Sequence, residues 1–181
     1  FDFHPENAGT RYFLYFGAVN YRADVYLNGK KLGMHIGGFT PFNFEVPASL
    51  LKEKGNFLVV KVDNKRYADE VPTLNTDWWN YGGITREVKL VELPGGFIQD
   101  DIIQLKKPGP GKAPATKPEV AGWVKLNNVA PGETITISIP GLNFKKQLPS
   151  AGYITPVSFT LPKLQLWSPQ SPKLYKVIIT A

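Results

Sequence analysis

Two consecutive all-β sandwiches are what this 181-residue sequence predicts, and three observations predict them. Apolar residues alternate with period two along short runs, as they must when successive side chains point to opposite faces of a strand. Sixteen Pro and 17 Gly separate those runs, punctuation that suits short strands and turns and leaves little room for long helices. An Asn-Gly pair at 28–29 lies between two alternating runs, and such a pair readily takes the positive φ values of a two-residue type I′ hairpin.

Taken in order, Arg11 to Lys31 reads as a strand pair, with FLYFGAV alternating around Phe13 and Tyr15 and ADVYL placing Val25 and Leu27 on one face. The chain doubles back at Asn28-Gly29. In GGFTPFNFEV, Gly37 and Gly38 permit tight backbone and Pro41 interrupts a ladder, so Phe39, Phe42 and Phe44 are expected to reach the core from an irregular strand. Pro47 to Leu51 is the one helical candidate, a turn or two closed by Lys54-Gly55. NFLVVKVDN sets Leu58, Val60 and Val62 against Phe57 and Val59, the pattern of a central strand covered on both faces. From Lys65 to Thr76 the chain is polar and unpatterned, as functional loops often are. TDWWNYGGITREVKLVEL then ends in a closing strand, Val88 and Leu90 opposite Val91 and Leu93.

Leu93-Pro94-Gly95-Gly96 is the linker, because Pro and Gly cannot continue a central strand and alternation restarts beyond it; the expected domains are residues 1–94 and 95–181. Downstream, FIQDDIIQL, GWVKLNNV, ETITISI, YITPVSFTL and KLYKVIIT are five strand candidates at the spacing of a small sandwich. In ETITISI, Ile135, Ile137 and Ile139 share the dry face. PGPGKAPATKPE has neither apolar area nor ladder donors and is expected to be a mobile loop.

Composition excludes several functions. Without cysteine there is no disulfide, zinc-thiolate site or thiol nucleophile. The formal charge of +6 is spread over loops, with Lys106, Lys107, Lys112 and Lys117 in the Pro/Gly-rich segment and Lys145 and Lys146 in another loop. A nucleic-acid footprint needs a continuous basic face with stacking aromatics, so no nucleic-acid partner is expected. No apolar run approaches the roughly 20 residues that span a bilayer, and no membrane partner is expected. Phe1 follows no leader pattern, which reads as a start inside a longer protein. His4 and His35 are far apart and lack ligand spacing, so no metal site is expected.

Three segments carry a resemblance. ADVYLNGKKLGMHIGGFTPFNFEV, DWWNYGGITREV and LQLWSPQSPKLYKV resemble, in the same order, signatures of glycoside hydrolase family 2, the β-galactosidase and β-glucuronidase type. The resemblance implies a galactose-binding-like jelly-roll sandwich, truncated at its N-terminus, followed by an immunoglobulin-like β-sandwich. It implies carbohydrate as ligand and, as partner, a catalytic (β/α)₈ barrel of the same parent chain, a body of about 250 residues. The sequence leaves the compartment open, admitting a periplasmic or secreted bacterial setting, and it admits a homo-oligomeric parent.

By that resemblance Asp77 extends a carboxylate toward the sugar, and some members hold a sodium ion beside the matching residue; otherwise no cofactor is expected. The alternative is that Asp77 caps the turn before Trp78. Trp78, Trp79 and Tyr81 offer flat faces to a pyranose or fill the core, and Trp78 and Tyr81 are the two assigned to the sugar. If the stretch is extended, Trp78 and Trp79 point oppositely and one of them packs. Arg86 reads as the holder of a structural ion pair, and Gly82 and Gly83 as backbone-conformation residues. Retaining glycosidases need two carboxyl groups about 5 Å apart. Asp69-Glu70 and Asp100-Asp101 are sequence neighbours that point apart in extended chain, so no catalytic residue is assigned here. A free-standing carbohydrate-binding module and a structural or adhesive sandwich pair are the other functions this sequence admits.

Overall fold

The computed structural model describes residues 1–4, 9–71, 73–75, 77–107, 117–130 and 132–181. The chain forms two compact units, Phe1–Gly95 and Gly96–Ala181, and each has its own core. Both are built almost wholly of antiparallel strands.

The first unit contains β1 (Arg11–Phe16), β2 (Val19–Asn20), β3 (Arg22–Leu27), β4 (Lys30–Ile36), β5 (Phe42–Val46), β6 (Leu58–Asp63), β7 (Gly83–Ile84) and β8 (Val88–Leu93). Its sheets run β5-β1-β8 and β4-β3-β6, with a short β2-β7 ladder beside them. Tyr12, Leu14 and Phe16 from the first sheet meet Ala23, Val25 and Leu27 from the second, so the core lies between two sheets. Each of the larger aliphatic and phenylalanine side chains among them, taken fully out of water, stabilises the fold by about 1.5–3 kcal/mol before chain entropy is subtracted.

The hairpin forms as predicted: Asn28 and Gly29 have φ of +49° and +84°, and Leu27 faces Lys30 across the turn. A partly buried amide network then ties it down. Asn28 Nδ2 donates to the Leu50 carbonyl (2.7 Å) and to Asn56 Oδ1 (3.0 Å), while Asn28 Oδ1 accepts from the Phe57 N–H (2.8 Å). These bonds satisfy backbone groups that no ladder reaches. They join the hairpin, the turn at Ala48–Leu50 and the entry to β6.

Several expectations change. β1 does not pair with β3 but with β5 and β8, and its buried face is Tyr12, Leu14 and Phe16 rather than Phe13 and Tyr15. Both faces of that segment are apolar, so alternation alone left the phase open. Among the described residues β6 is hydrogen-bonded to β3 alone; Phe57 and Val59 are exposed, so the strand is not covered on both faces. Of the three phenylalanines after Gly38, Phe42 is buried and Phe44 packs against the core, but Phe39 is 57% exposed. The helical candidate is a single 3₁₀ turn, Ala48–Leu50, that ends at Leu51.

The second unit contains β9 (Phe97–Leu105), β10 (Glu119–Asn127), β11 (Thr134–Ile139), β12 (Phe144–Pro149), β13 (Ile154–Thr160) and β14 (Ile178–Thr180), in sheets β13-β10-β9 and β12-β11-β14. Ile135, Ile137 and Ile139 are buried, as their alternation demanded. Gly122 on β10 is required by close approach, since a Cβ there would collide with the Ile102 carbonyl of β9. Lys145 and Lys146, expected in a loop, lie in β12, where Lys146 Nζ donates to the Ser158 carbonyl at 2.8 Å. The last strand candidate shortens to Ile178–Thr180. The expected mobile loop falls, over residues 108–116, outside the described residues.

Candidate functional site

The second family-like segment follows the long polar connection, and it is not a strand until Gly83. It is fastened to the sandwich at both ends. After Tyr81, Ile84 pairs with Val19 and Gly83 with Asn20, the Thr85 N–H donates to the Ala18 carbonyl (3.1 Å), and the Gly17 N–H donates to the Glu87 carbonyl (2.9 Å). Gly83 has φ of +106°, a value that favours glycine. Gly82 has a different reason, since a Cβ there would sit 2.6 Å from Asn64 Nδ2.

Between these points no ladder satisfies the backbone carbonyls of the aromatic run, and the side chains of Asn20, Asn64 and, from the polar connection, Arg66 do so instead. Arg66 Nη2 donates to the Trp78 carbonyl at 3.2 Å. Asn64 Nδ2 donates to the Asn80 carbonyl (3.2 Å) while Asn80 Nδ2 donates to the Asn64 carbonyl (2.6 Å). Asn20 Nδ2 donates to the Tyr81 carbonyl. A three-residue turn, closed by the Tyr81 N–H on the Trp79 carbonyl at 3.1 Å, keeps the segment from extending.

With its backbone held inward, the run presents its rings outward. Trp78, Trp79 and Tyr81 are 65, 81 and 70% exposed. All three line one cavity of about 280 Å³, so the expectation that one tryptophan packs inward is overturned: that argument assumed an extended chain, and the chain turns. Phe39 completes the apolar wall, and Arg86 Nη1 donates to the Phe39 carbonyl at 3.4 Å.

Arg86 therefore does not hold the expected ion pair among the described residues; it fixes a loop and borders the cavity. Its neighbour Glu87 is salt-bridged to Lys89 at 3.3 Å. The Glu87 carboxyl is held below the usual glutamate range mainly by its own backbone N–H, then by Lys89, with Arg86 contributing least. Asn20, Arg66, Asn80 and Thr85 also line the cavity, and nothing local in the sequence singled them out.

Asp77 is exposed and does not line the cavity; Trp78 and Tyr81 do. No carboxylate is present on the described wall. Asp69, Asp100 and Asp101 are exposed, and Glu70 is half-buried in the polar connection. Among the described residues no three of His, Cys, Asp or Glu converge as metal ligands. His35 stacks on Phe42 with ring centroids 4.1 Å apart, which gives it a packing role. No helix among the described residues is long and apolar enough to cross a membrane.

Comparison with known proteins gives this geometry a family. Residues 3–94 match the model for the sugar binding domain of glycosyl hydrolases family 2. A β-glucuronidase of Bacteroides fragilis is 39% identical over 87 residues, 48% of this chain and 12% of that protein. The β-galactosidase large subunit of Leuconostoc lactis is 27% identical over 99% of this chain, which spans 28% of that protein. In space, the structure of Bifidobacterium dentium β-glucuronidase complexed with coumarin-3-O-glucuronide matches 95% of this chain and 34% of its own, with a TM-score of 0.77 at 26% identity. The chain thus spans between about an eighth and a third of the length of these relatives. A sandwich that presents three rings on a backbone pinned from behind, in a segment within the matched region, belongs to glycosyl hydrolases family 2 and carries that family's sugar binding domain.

Proposed function

We propose that this chain is the non-catalytic sugar-binding and scaffold region of a family 2 glycoside hydrolase that hydrolyses O-glycosidic bonds of β-galactosides, β-glucuronides or related glycans. The observation that carries the reading is the composition of the cavity wall: aromatic faces, guanidinium groups and amides, but no carboxylate among the described residues. Such a wall can hold and orient a sugar. Retaining hydrolysis needs two carboxyl groups about 5 Å apart, and in this reading a catalytic barrel of the same parent chain supplies both.

Residues 1–94 are then the jelly-roll unit that meets the sugar, and residues 95–181 are an immunoglobulin-like sandwich of the scaffold. Trp78 and Tyr81 pack against the C–H side of a pyranose. The exposed Asp77 is free to reach a hydroxyl of the sugar in the assembled parent. A charge-assisted bond of that kind contributes about 1.5–3 kcal/mol.

The test is activity with chromogenic β-galactosides and β-glucuronides. The 181-residue chain should show no turnover, and turnover abolished by Asp77→Ala would overturn the non-catalytic assignment. In the parent enzyme, Asp77→Ala should lower kcat/KM by roughly ten- to a hundredfold. Unchanged kinetics there would remove Asp77 from the sugar site.

A second reading, a free-standing carbohydrate-binding module, is favoured by the high exposure of Trp78, Trp79 and Tyr81. Micromolar binding of neutral oligosaccharides by the isolated chain, with no catalytic partner in the parent reading frame, would select it.

A further inference from the structure

Asn28-Gly29 is the one Asn-Gly pair in the sequence, and such a pair carries its own chemistry. With no side chain on glycine to obstruct it, the Gly29 backbone nitrogen can lose its proton and attack Asn28 Cγ. The new C–N bond closes a five-membered succinimide, the Cγ–Nδ2 bond breaks and ammonia leaves. Water then opens the ring at one of its two carbonyls, giving aspartate or, with the chain rerouted through the side chain, isoaspartate. The attack needs a side chain that can turn its Cγ toward the next backbone nitrogen.

In the folded unit that turn is opposed from both ends of the amide. Nδ2 is held by the Leu50 carbonyl and Asn56 Oδ1, and Oδ1 is held by the Phe57 N–H. The acceptor beyond is fixed as well. Asn56 is 4% exposed, its Oδ1 accepts from the Lys52 N–H at 2.8 Å, and its Nδ2 donates to the carbonyls of Lys52 and Phe1. Gly29 itself is exposed, so what restrains the pair is the grip on Asn28 rather than burial of the attacking nitrogen.

The same bonds distinguish the amide from its product. An aspartate can keep the Phe57 N–H with one oxygen, but the other must take the place of Nδ2, between two acceptors and with no hydrogen to offer. Asn56 cannot turn over to offer its own Nδ2 without breaking its bonds to Lys52 and Phe1. Isoaspartate lengthens the backbone of a two-residue turn and so disturbs the Leu27–Lys30 pairing too.

We propose that Asn28-Gly29 is a deamidation site held shut by this latch: the reaction proceeds when the latch opens, and its acidic product cannot close it again. Each event irreversibly frees the β3–β4 hairpin from the turn at Ala48–Leu50 and from the entry to β6. This chemistry does not depend on what the first unit binds.

The experiment is peptide mapping by mass spectrometry of the 181-residue chain after incubation at mildly alkaline pH, native and in denaturing urea. One hydrogen bond shifts an equilibrium by roughly fivefold, so a latch of three should slow native deamidation at Asn28 by about a hundredfold relative to the unfolded chain. Asn56→Ala removes one of the three and should speed the native reaction by about fivefold or more while leaving the rate in urea unchanged. Leu14→Ala is the control. It weakens the core of the same unit at a buried site without touching the latch, and it should leave the native rate where it was. Asn28→Asp, the direct product, should lower the folding equilibrium constant by at least about tenfold, read as a fall in the urea midpoint.

Equal rates in the native and unfolded chain, equal acceleration by Asn56→Ala and Leu14→Ala, or an Asn28→Asp variant as stable as the parent each overturn the inference. Should Asn56→Ala not fold, the ratio of native to urea rates and the Asn28→Asp midpoint still decide it.

Discussion

Each unit exposes tryptophan, and the two do so by different means. In the first, the carbonyls of Trp78, Asn80 and Tyr81 are held by Arg66, Asn64 and Asn20, the last 61 residues away in sequence. In the second, Leu166 and Trp167 are also exposed, but the bonds about them are local. Ser168 and Ser171 bridge to each other, and the Gln165 N–H donates to the Tyr175 hydroxyl ten residues on. A long-range anchor transmits the rigidity of a core to a surface, whereas a local turn organises only itself. The first surface is therefore held by its sandwich, and its geometry depends on residues as distant in sequence as Asn20.

That difference can be attacked at three levels. The largest effect should come from the core beneath the anchors. Phe16→Ala should destabilise the first unit by about 3–5 kcal/mol in urea unfolding, since Phe16 is fully buried. Trp79→Ala, at an 81% exposed site, should change stability by less than about 0.5 kcal/mol while weakening sugar binding.

An intermediate effect should separate the two kinds of anchor. Asn20→Ala strands the Tyr81 carbonyl and should cost about 1–3 kcal/mol, with a shift in tryptophan fluorescence. Tyr175→Phe leaves an exposed Gln165 N–H that water can satisfy, and it should cost less than about 1 kcal/mol. Equal costs would erase the distinction.

The smallest effect lies in the Arg11–Glu45 pair, 2.7 Å apart, which joins β1 to β5 in the first unit. The hydrogen bond from Arg11 holds the Glu45 carboxyl below the usual glutamate range. A depressed folded-state value means that the pair's contribution is present above the unfolded glutamate pKa and is lost as pH falls through the lower folded value. Because Glu45 is 48% exposed, that contribution should stay below about 1 kcal/mol. Glu45→Gln should flatten the acid limb of stability against pH, and an unchanged limb would show that solvent screens the pair fully.

What the sequence disclosed follows the range of the forces involved. The Asn28-Gly29 hairpin and the Ile135, Ile137, Ile139 face were legible because turn chemistry and alternation are local properties. The phase of β1 was not, because Tyr12, Leu14 and Phe16 differ too little from Phe13 and Tyr15 for composition to choose the inner face. β12 was hidden by Lys145 and Lys146, whose charges look like loop even though a long lysine stem can lie along a half-buried strand. The aromatic run was found through its resemblance to a family. The cavity was not: Asn20, Phe39, Arg66 and Arg86 come from four separated places in the chain, and only the fold gathers them.

The reciprocal amide pair of Asn64 and Asn80 acts as a neck. The chain leaves the sandwich at one asparagine, returns at the other, and the cinch between them does not depend on how much polypeptide hangs beyond it. Loop entropy rises only by about 0.6 kcal/mol for each doubling of length. Evolution or a protein engineer can therefore lengthen, shorten or rewrite the chain between Arg66 and Trp78, giving the rim a new reach, while the Arg66 and asparagine anchors keep the rings in place.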